Sequence, residues 1–185
     1  MREFRYYKEV LEFATQAHGD QKRKYSGLPY ISHPVAVQQI LRDFYSGASE
    51  ELIYAALLHD VIEDTIVTEH MLVMALNRIF FNRGLTRRVV KLVIELTDVY
   101  THEAYPDFNR RQRKLLEHDR IARISDDAKL IKFADMIHNT ESIVKDDPSF
   151  AKLYLKEKNH MLDMIFDGRN SDTAVFFRLY ERARY

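Results

Sequence analysis

Apolar residues recur at steps of three and four along most of the chain, and the period-two alternation of a half-buried strand is absent. Phe4, Tyr7, Leu11, Ala14 and His18 fall on one face of an amphipathic helix over 3–18. Pro34 is suited to a first helical position, and Gly47 to the end of that helix. Ser49 is placed to cap a helix over 50–64. Thr68 opens a helix that stops near Gly84, and Thr86 opens the next, which carries Val89, Val90, Val93 and Leu96. Four more helices are predicted over 108–123, 127–145, 149–167 and 172–183. Asp126, Pro148 and Asp172 lie near the last three starts, and Gly168 near an end. Two stretches break the period: GDQKRKYSGLPYISHP (19–34) and TDVYTHEAYPDF (97–108). The pattern predicts one compact all-α domain over residues 1–185, with Phe176, Phe177 and Tyr180 closing its core.

Composition narrows the partners. A chain of 185 residues, 46% of them hydrophobic, is long enough to bury a real core. Lys plus Arg (28) balance Asp plus Glu (28), so no global field draws the protein to nucleic acid or to an anionic membrane. Phosphate recognition therefore has to come from a local basic cluster. The absence of cysteine removes disulfides, Cys-ligated zinc and iron–sulfur clusters, and suits a reducing compartment. MREFRYYKEV lacks the apolar core of a signal peptide, and no apolar run approaches the roughly 18 residues of a membrane span. The expectation is a cytoplasmic protein with no nucleic-acid or membrane partner. The pattern assigns no oligomeric state.

The stretch ALLHDVIEDT (56–65) changes the picture, because it sets His59, Asp60, Glu63 and Asp64 into an apolar helix. Burying charge there is costly unless something compensates it. On a continuous helix, His59 and Glu63 lie one turn apart, as do Asp60 and Asp64. A metal ion beside the helix would compensate the negative charge. Imidazole with carboxylate suits Mn²⁺, Fe²⁺, Zn²⁺ or Co²⁺ better than a soft metal. Further ligands have to come from elsewhere. His33 sits at the loop-to-helix junction in YISHP, and Asp135 interrupts the apolar stretch KFADMIHNT (132–140), with Asn139 four residues on. His33, His59, Asp60 and Asp135 would leave an octahedral ion two open positions, which a catalytic site needs and a structural site does not.

Each piece alone has a plainer reading. Isolated His-Asp pairs are common, Glu63 and Asp64 suit a solvated helix end, Asp135 and Asn139 suit a helix cross-link, and QKRK suits a solvated basic loop. The order His, His-Asp, Asp across most of the chain is much less easily accidental. The remaining histidines, including His18 and His138, are read as structural or surface residues.

These residues resemble the HD superfamily of metal-dependent phosphohydrolases, and more narrowly the hydrolase domain of RelA/SpoT-type alarmone enzymes and their short stand-alone homologues. The stretches that carry the resemblance are AHGDQKRKYSGLPYISHP (17–34), AALLHDVIEDT (55–65), ELTDVY (95–100) and AKLIKFADMIHNTESI (128–143). It implies an all-helical fold, one Mn²⁺ (other divalent ions being possible), and metal ligands at His33, His59, Asp60 and Asp135. It also implies an acidic pair at Glu63 and Asp64 that positions or deprotonates the attacking water. Nucleotide and phosphate contacts fall on Arg23, Lys24, Ser26, Asn139 and Ser142. The implied reaction removes the 3′-pyrophosphate of ppGpp or pppGpp, giving GDP or GTP, and the resemblance extends to no synthetase or regulatory domain. Three positions depart from the family pattern: Asp20 where Gly is usual, Tyr25 as an extra residue between RK and SG, and Met136 where Arg is usual.

The chemistry of the residues agrees. A divalent ion lowers the pKa of bound water from about 15.7 toward roughly 7, and a carboxylate one turn away can take the proton. Arg23 offers a bidentate fork to phosphate and Lys24 a point charge. Tyr30 is placed to line a nucleoside pocket, and Arg113, in the second basic run NRRQRK (109–114), to reach a leaving group. Two other functions compete: an HD phosphohydrolase acting on other nucleoside phosphates, and a non-catalytic nucleotide-binding protein. The RKYSGLPYISHP loop favours the alarmone substrate over the first, and the intact HDxxED argues against the second.

Overall fold

The computed structural model describes residues 4–166 and 174–184. The fold is all-α, as the periodicity predicts, and the extended pairing among the described residues is a single bridge between Lys22 and Pro29. No helix among them is long and apolar enough to cross a membrane. The chain divides into two compact units, Met1–Thr97 and Asp98–Tyr185.

The first unit holds α1 (Tyr7–His18), α2 (Ser32–Phe44), α3 (Glu50–Leu58), α4 (Val61–Asp64), α5 (Glu69–Phe80) and α6 (Arg83–Leu96). Its centre is α3, in which every residue from Leu52 to Leu58 is buried, and α1, α2 and α6 pack around it. A helix apolar on all sides is stable only in such a place. Its one buried phenol, Tyr54, accepts a hydrogen bond from the Tyr6 amide at 3.0 Å and stacks on Phe80 at 5.2 Å. Burial pushes the Tyr54 hydroxyl up to about 12.

Ser49 and Thr68 cap α3 and α5 as predicted, each accepting from the amide three residues on. The predicted helix over 50–64 is interrupted. The His59 ring donates from Nδ1 to the Ala56 carbonyl at 2.9 Å, an acceptor the next helical amide would otherwise use, and Asp60 departs from ideal helical values at φ −95°, ψ −4°. Helix resumes as α4. Gly84, expected at a helix end, lies instead in the first turn of α6. The end of α5 is Phe81 in the left-handed region (φ 49°), after which the Asn82 carboxamide accepts from the Gly84 and Leu85 amides and becomes the cap in place of Thr86. Helix α2 begins at Ser32, two residues before Pro34, and ends at Phe44, before Gly47.

The second unit holds α7 (Arg110–Ala122), α8 (Asp126–Asp146), α9 (Pro148–Ile165) and α10 (Ala174–Arg184), with α8 packed on α9 and α10, and α7 on α9. Asn109 and Gln112 form a reciprocal capping box. Ser125 caps α8, so Asp126 is its first residue, and Asp147 caps α9 with Pro148 at its start. Tyr180 is buried and stacks on Phe166 at 4.2 Å, as a core residue should. Phe177 does not close the core: it is 53% exposed. Gly168, Asp172 and the side chain of Phe176 lie outside the described residues.

The irregular stretch before α7 is organised by one buried carboxylate. Glu117 accepts from the Val99 and Tyr100 amides at 3.0 and 3.1 Å, and its other oxygen faces the Arg120 guanidinium. Removing one partner of a buried, hydrogen-bonded charge pair typically costs about 3–5 kcal/mol. Glu117→Ala is therefore expected to lower stability in urea unfolding by an amount near the lower end of that range. Amide exchange at Val99 and Tyr100 should rise in the same variant.

Candidate active site

Three side chains in the first unit converge as metal ligands would. The first turn of α2 delivers His33, the end of α3 delivers His59, and the break after α3 delivers Asp60. One ligand atom from each lies within 4.8 Å of the others. His33 Nε2 is 3.4 Å from Asp60 Oδ2, and His59 Nε2 is 3.1 Å from Asp60 Oδ1. Both imidazoles are buried, with their rings 5.1 Å apart.

The donor set suits a cation. The Ala56 carbonyl can only accept, so His59 Nδ1 carries its proton, and Nε2 faces Asp60 as a lone pair whenever it carries none. A lone pair 3.1 Å from a carboxylate oxygen is stable only with positive charge between or beside them, from a proton or from a metal ion. Fixing one imidazole nitrogen on a backbone carbonyl is also how metal-bound histidines are usually oriented. Burial by itself would raise the Asp60 carboxyl, but the neighbouring His59 and His33 outweigh it and hold the group well below the usual carboxylate range.

The acidic pair lies one turn on. Glu63 and Asp64 are exposed in α4. Asp64 does not stand alone: the Tyr30 hydroxyl lies 2.5 Å from Asp64 Oδ2 and 2.8 Å from Asp60 Oδ2. Burial, with the Asp60 charge beside it, raises the Asp64 carboxyl, while the Tyr30 hydrogen bond acts against the rise. Burial first, then the two carboxylates, push the Tyr30 phenol far above its ordinary value, so its proton stays on.

The RKYSGLP segment forms a closed turn. The Arg23 amide donates to Leu28 O and the Tyr30 amide to Gln21 O, both at 2.9 Å, and Gly27 supplies the left-handed residue at φ 68°. Ser26 is exposed, and its hydroxyl faces the Leu28 amide at 3.4 Å. The Arg23 guanidinium lies over the Tyr30 ring at 5.7 Å, and the Lys24 ammonium donates to the Tyr25 hydroxyl at 3.2 Å. The extra residue Tyr25 is thus a resting partner for Lys24.

In the second unit, Asp135 is buried on α8 between Lys132 Nζ, at 3.1 Å, and Asn139 Nδ2, which donates to it at 2.6 Å. Both groups line a cavity of about 150 Å³ with Arg110, Lys114, His118 and Lys158. Ser142, one turn beyond Asn139, spends its hydroxyl proton on the His138 carbonyl at 3.0 Å. Arg113 donates to the Phe108 carbonyl and is absorbed in holding the start of α7.

His18, read as structural, is buried and stacks on Tyr30 with ring centres 4.5 Å apart. The cations Lys132 and Lys158, with His118, collect around Asn139 only because three helices meet there, and no local pattern announces them.

The family described as HD domain matches residues 10–160. The chain is 33% identical over 141 residues to the human guanosine-3′,5′-bis(diphosphate) 3′-pyrophosphohydrolase MESH1, covering 76% of this chain and 70% of that protein. The zebrafish (Danio rerio) protein of the same name is 35% identical over 141 residues with the same coverage. A solved structure described as a metazoan ortholog of SpoT that hydrolyses ppGpp superimposes with a TM-score of 0.75 at 27% identity, over 100% of this chain and 97% of that one.

His118 supplies a pH test within the second unit. Burial, with Lys114 and His160 nearby, lowers its pKa to about 4. A buried histidine held neutral stabilises the fold above its unfolded pKa of about 6.5. That contribution is lost as pH falls from there through the folded value. The Tm of the wild type should therefore drop more between pH 7 and pH 5 than that of His118→Leu, as read by thermal melts at both pH values.

Proposed function

The chain belongs to the HD-domain family, and on that footing we propose that it is a divalent-metal-dependent hydrolase that removes the 3′-pyrophosphate from ppGpp or pppGpp. The observation that carries the reading is the convergence of His33, His59 and Asp60 within 4.8 Å, with Asp64 tied to Asp60 through Tyr30. The named activity of the MESH1 relatives, and the ppGpp hydrolysis in the description of the structural neighbour, support the substrate. The family match runs across both compact units, which supports reading residues 1–185 as one hydrolase domain.

His33, His59 and Asp60 would hold the ion, and the order of motifs along the chain supports Asp135 as a fourth ligand. Imidazole with carboxylate suits Mn²⁺, Fe²⁺, Zn²⁺ or Co²⁺, and the resemblance to the alarmone hydrolases makes Mn²⁺ the ion proposed. When bound, the ion supplies Lewis acidity toward the phosphoryl oxygen and makes water acidic enough to attack near neutral pH. Glu63 and Asp64 orient that water, and one of them takes its proton. The water oxygen bonds to the phosphorus carried on O3′, and the P–O3′ bond breaks. Pyrophosphate leaves, and O3′ is protonated to give GDP or GTP. Arg23 and Lys24 neutralise phosphate charge, Ser26 and Ser142 add hydroxyl contacts, and Asn139 bonds ribose or phosphate. The cytoplasm, where such nucleotides occur, is the proposed location.

The test incubates purified protein and Mn²⁺ with ppGpp and a panel of other nucleotides. Pyrophosphate with GDP is the expected product, and no release from ppGpp under any divalent metal overturns the reading. His59→Ala is expected to lose both metal and turnover while keeping its helical circular dichroism. Glu63→Gln should keep the metal and slow turnover by about 10²–10⁴-fold, the usual worth of a positioned acid–base group. Unchanged turnover removes Glu63 from the mechanism.

A further inference from the structure

Tyr30 suits a nucleoside pocket by sequence, yet its hydroxyl faces the acids. It lies 2.8 Å from Asp60 Oδ2 and 2.5 Å from Asp64 Oδ2. A phenol has one proton, so it serves one carboxylate as donor at a time while holding both at fixed distance. One of these acids belongs to the metal trio and the other to the pair that acts on water.

The ring is held from the side. His18 stacks on it at 4.5 Å with an interplanar angle of 25°, and His33 meets it edge-on at 5.9 Å. His18 is 5% exposed, and its Nδ1 is fixed 2.8 Å from Gln21 Oε1. The Gln21 backbone carbonyl accepts from the Tyr30 amide at 2.9 Å. Gln21 thus grips both stacked rings, one through its side chain and one through its backbone. His18 Nε2 is buried without a hydrogen-bond partner, so the ring's contribution on the Tyr30 side is its face.

We propose that His18, Gln21 and Tyr30 form a clamp that sets Asp64 against Asp60, which makes His18 and Tyr30 positioning residues for the hydrolysis rather than walls of the nucleoside pocket. The inference rests on the function proposed above. Hydrogen bonds to ligating carboxylates are commonly worth about 10–100-fold in metal affinity or rate.

Tyr30→Phe keeps the stacked ring and removes the hydroxyl. The expected result is a fall in kcat of about 10–100-fold with KM for ppGpp nearly unchanged, and a loss of Mn²⁺ affinity of similar size when metal-free protein is titrated. A raised KM with unchanged kcat and unchanged Mn²⁺ affinity puts Tyr30 in the substrate pocket and overturns the clamp. His18→Ala should lower kcat, and His18→Phe, which restores an aromatic face, should recover most of it. Equal losses in both variants, or none in either, overturn the stacking role. If the wild type releases nothing from ppGpp, the proposed function fails, and the Mn²⁺ titration of Tyr30→Phe still decides the clamp.

Discussion

Two imidazole nitrogens face one carboxylate, and the first unit is built around that arrangement. His59 Nδ1 is committed to a backbone carbonyl, so Nε2 meets Asp60 as a lone pair unless a proton or a cation intervenes. The site therefore carries a standing demand for positive charge. A proton meets it only while an imidazole is protonated, whereas a divalent ion meets it at neutral pH and brings the Lewis acidity that phosphoryl transfer needs. The apolar α3 is the rigid support: with Leu52 through Leu58 buried, His59 has little freedom to move away. The break after Leu58 turns Asp60 toward both histidines and still leaves Asp64 one turn on, its amide bonded to the Asp60 carbonyl at 2.8 Å.

Much of this was legible in the sequence, for identifiable reasons. The three-and-four period reports burial, so the helices and the all-α class follow from it. Ser49, Thr68 and Pro148 mark helix starts because their roles are local. Errors arose where a side chain competed with the backbone. Asn82 outcompeted Thr86 as a cap, and the His59 ring disturbed the helix expected to run unbroken to Asp64. The candidate ligands His33, His59 and Asp60 were readable because ionisable groups in or beside an apolar stretch need an explanation. Tyr30 was visible as an aromatic beside a basic loop, and only the fold shows its hydroxyl between two aspartates.

The second unit poses a different electrostatic problem. Lys158 is buried, and burial together with Arg182 lowers its pKa; its hydroxyl contact with Thr140 is long, at 3.4 Å. Lys132 pairs with Asp135 in the same cavity that Lys114 and His118 line. A cavity richer in cations than in carboxylates favours an anion. Local accumulation of this kind escapes a reading based on net charge, because Lys plus Arg equal Asp plus Glu over the whole chain.

The most direct measurement of the central claim is pulsed electron paramagnetic resonance on the protein loaded with one equivalent of Mn²⁺. The account predicts nitrogen couplings from two imidazoles in the wild type and no protein-bound Mn²⁺ signal in His59→Ala. Mn²⁺ that binds the wild type with no imidazole coupling would contradict it.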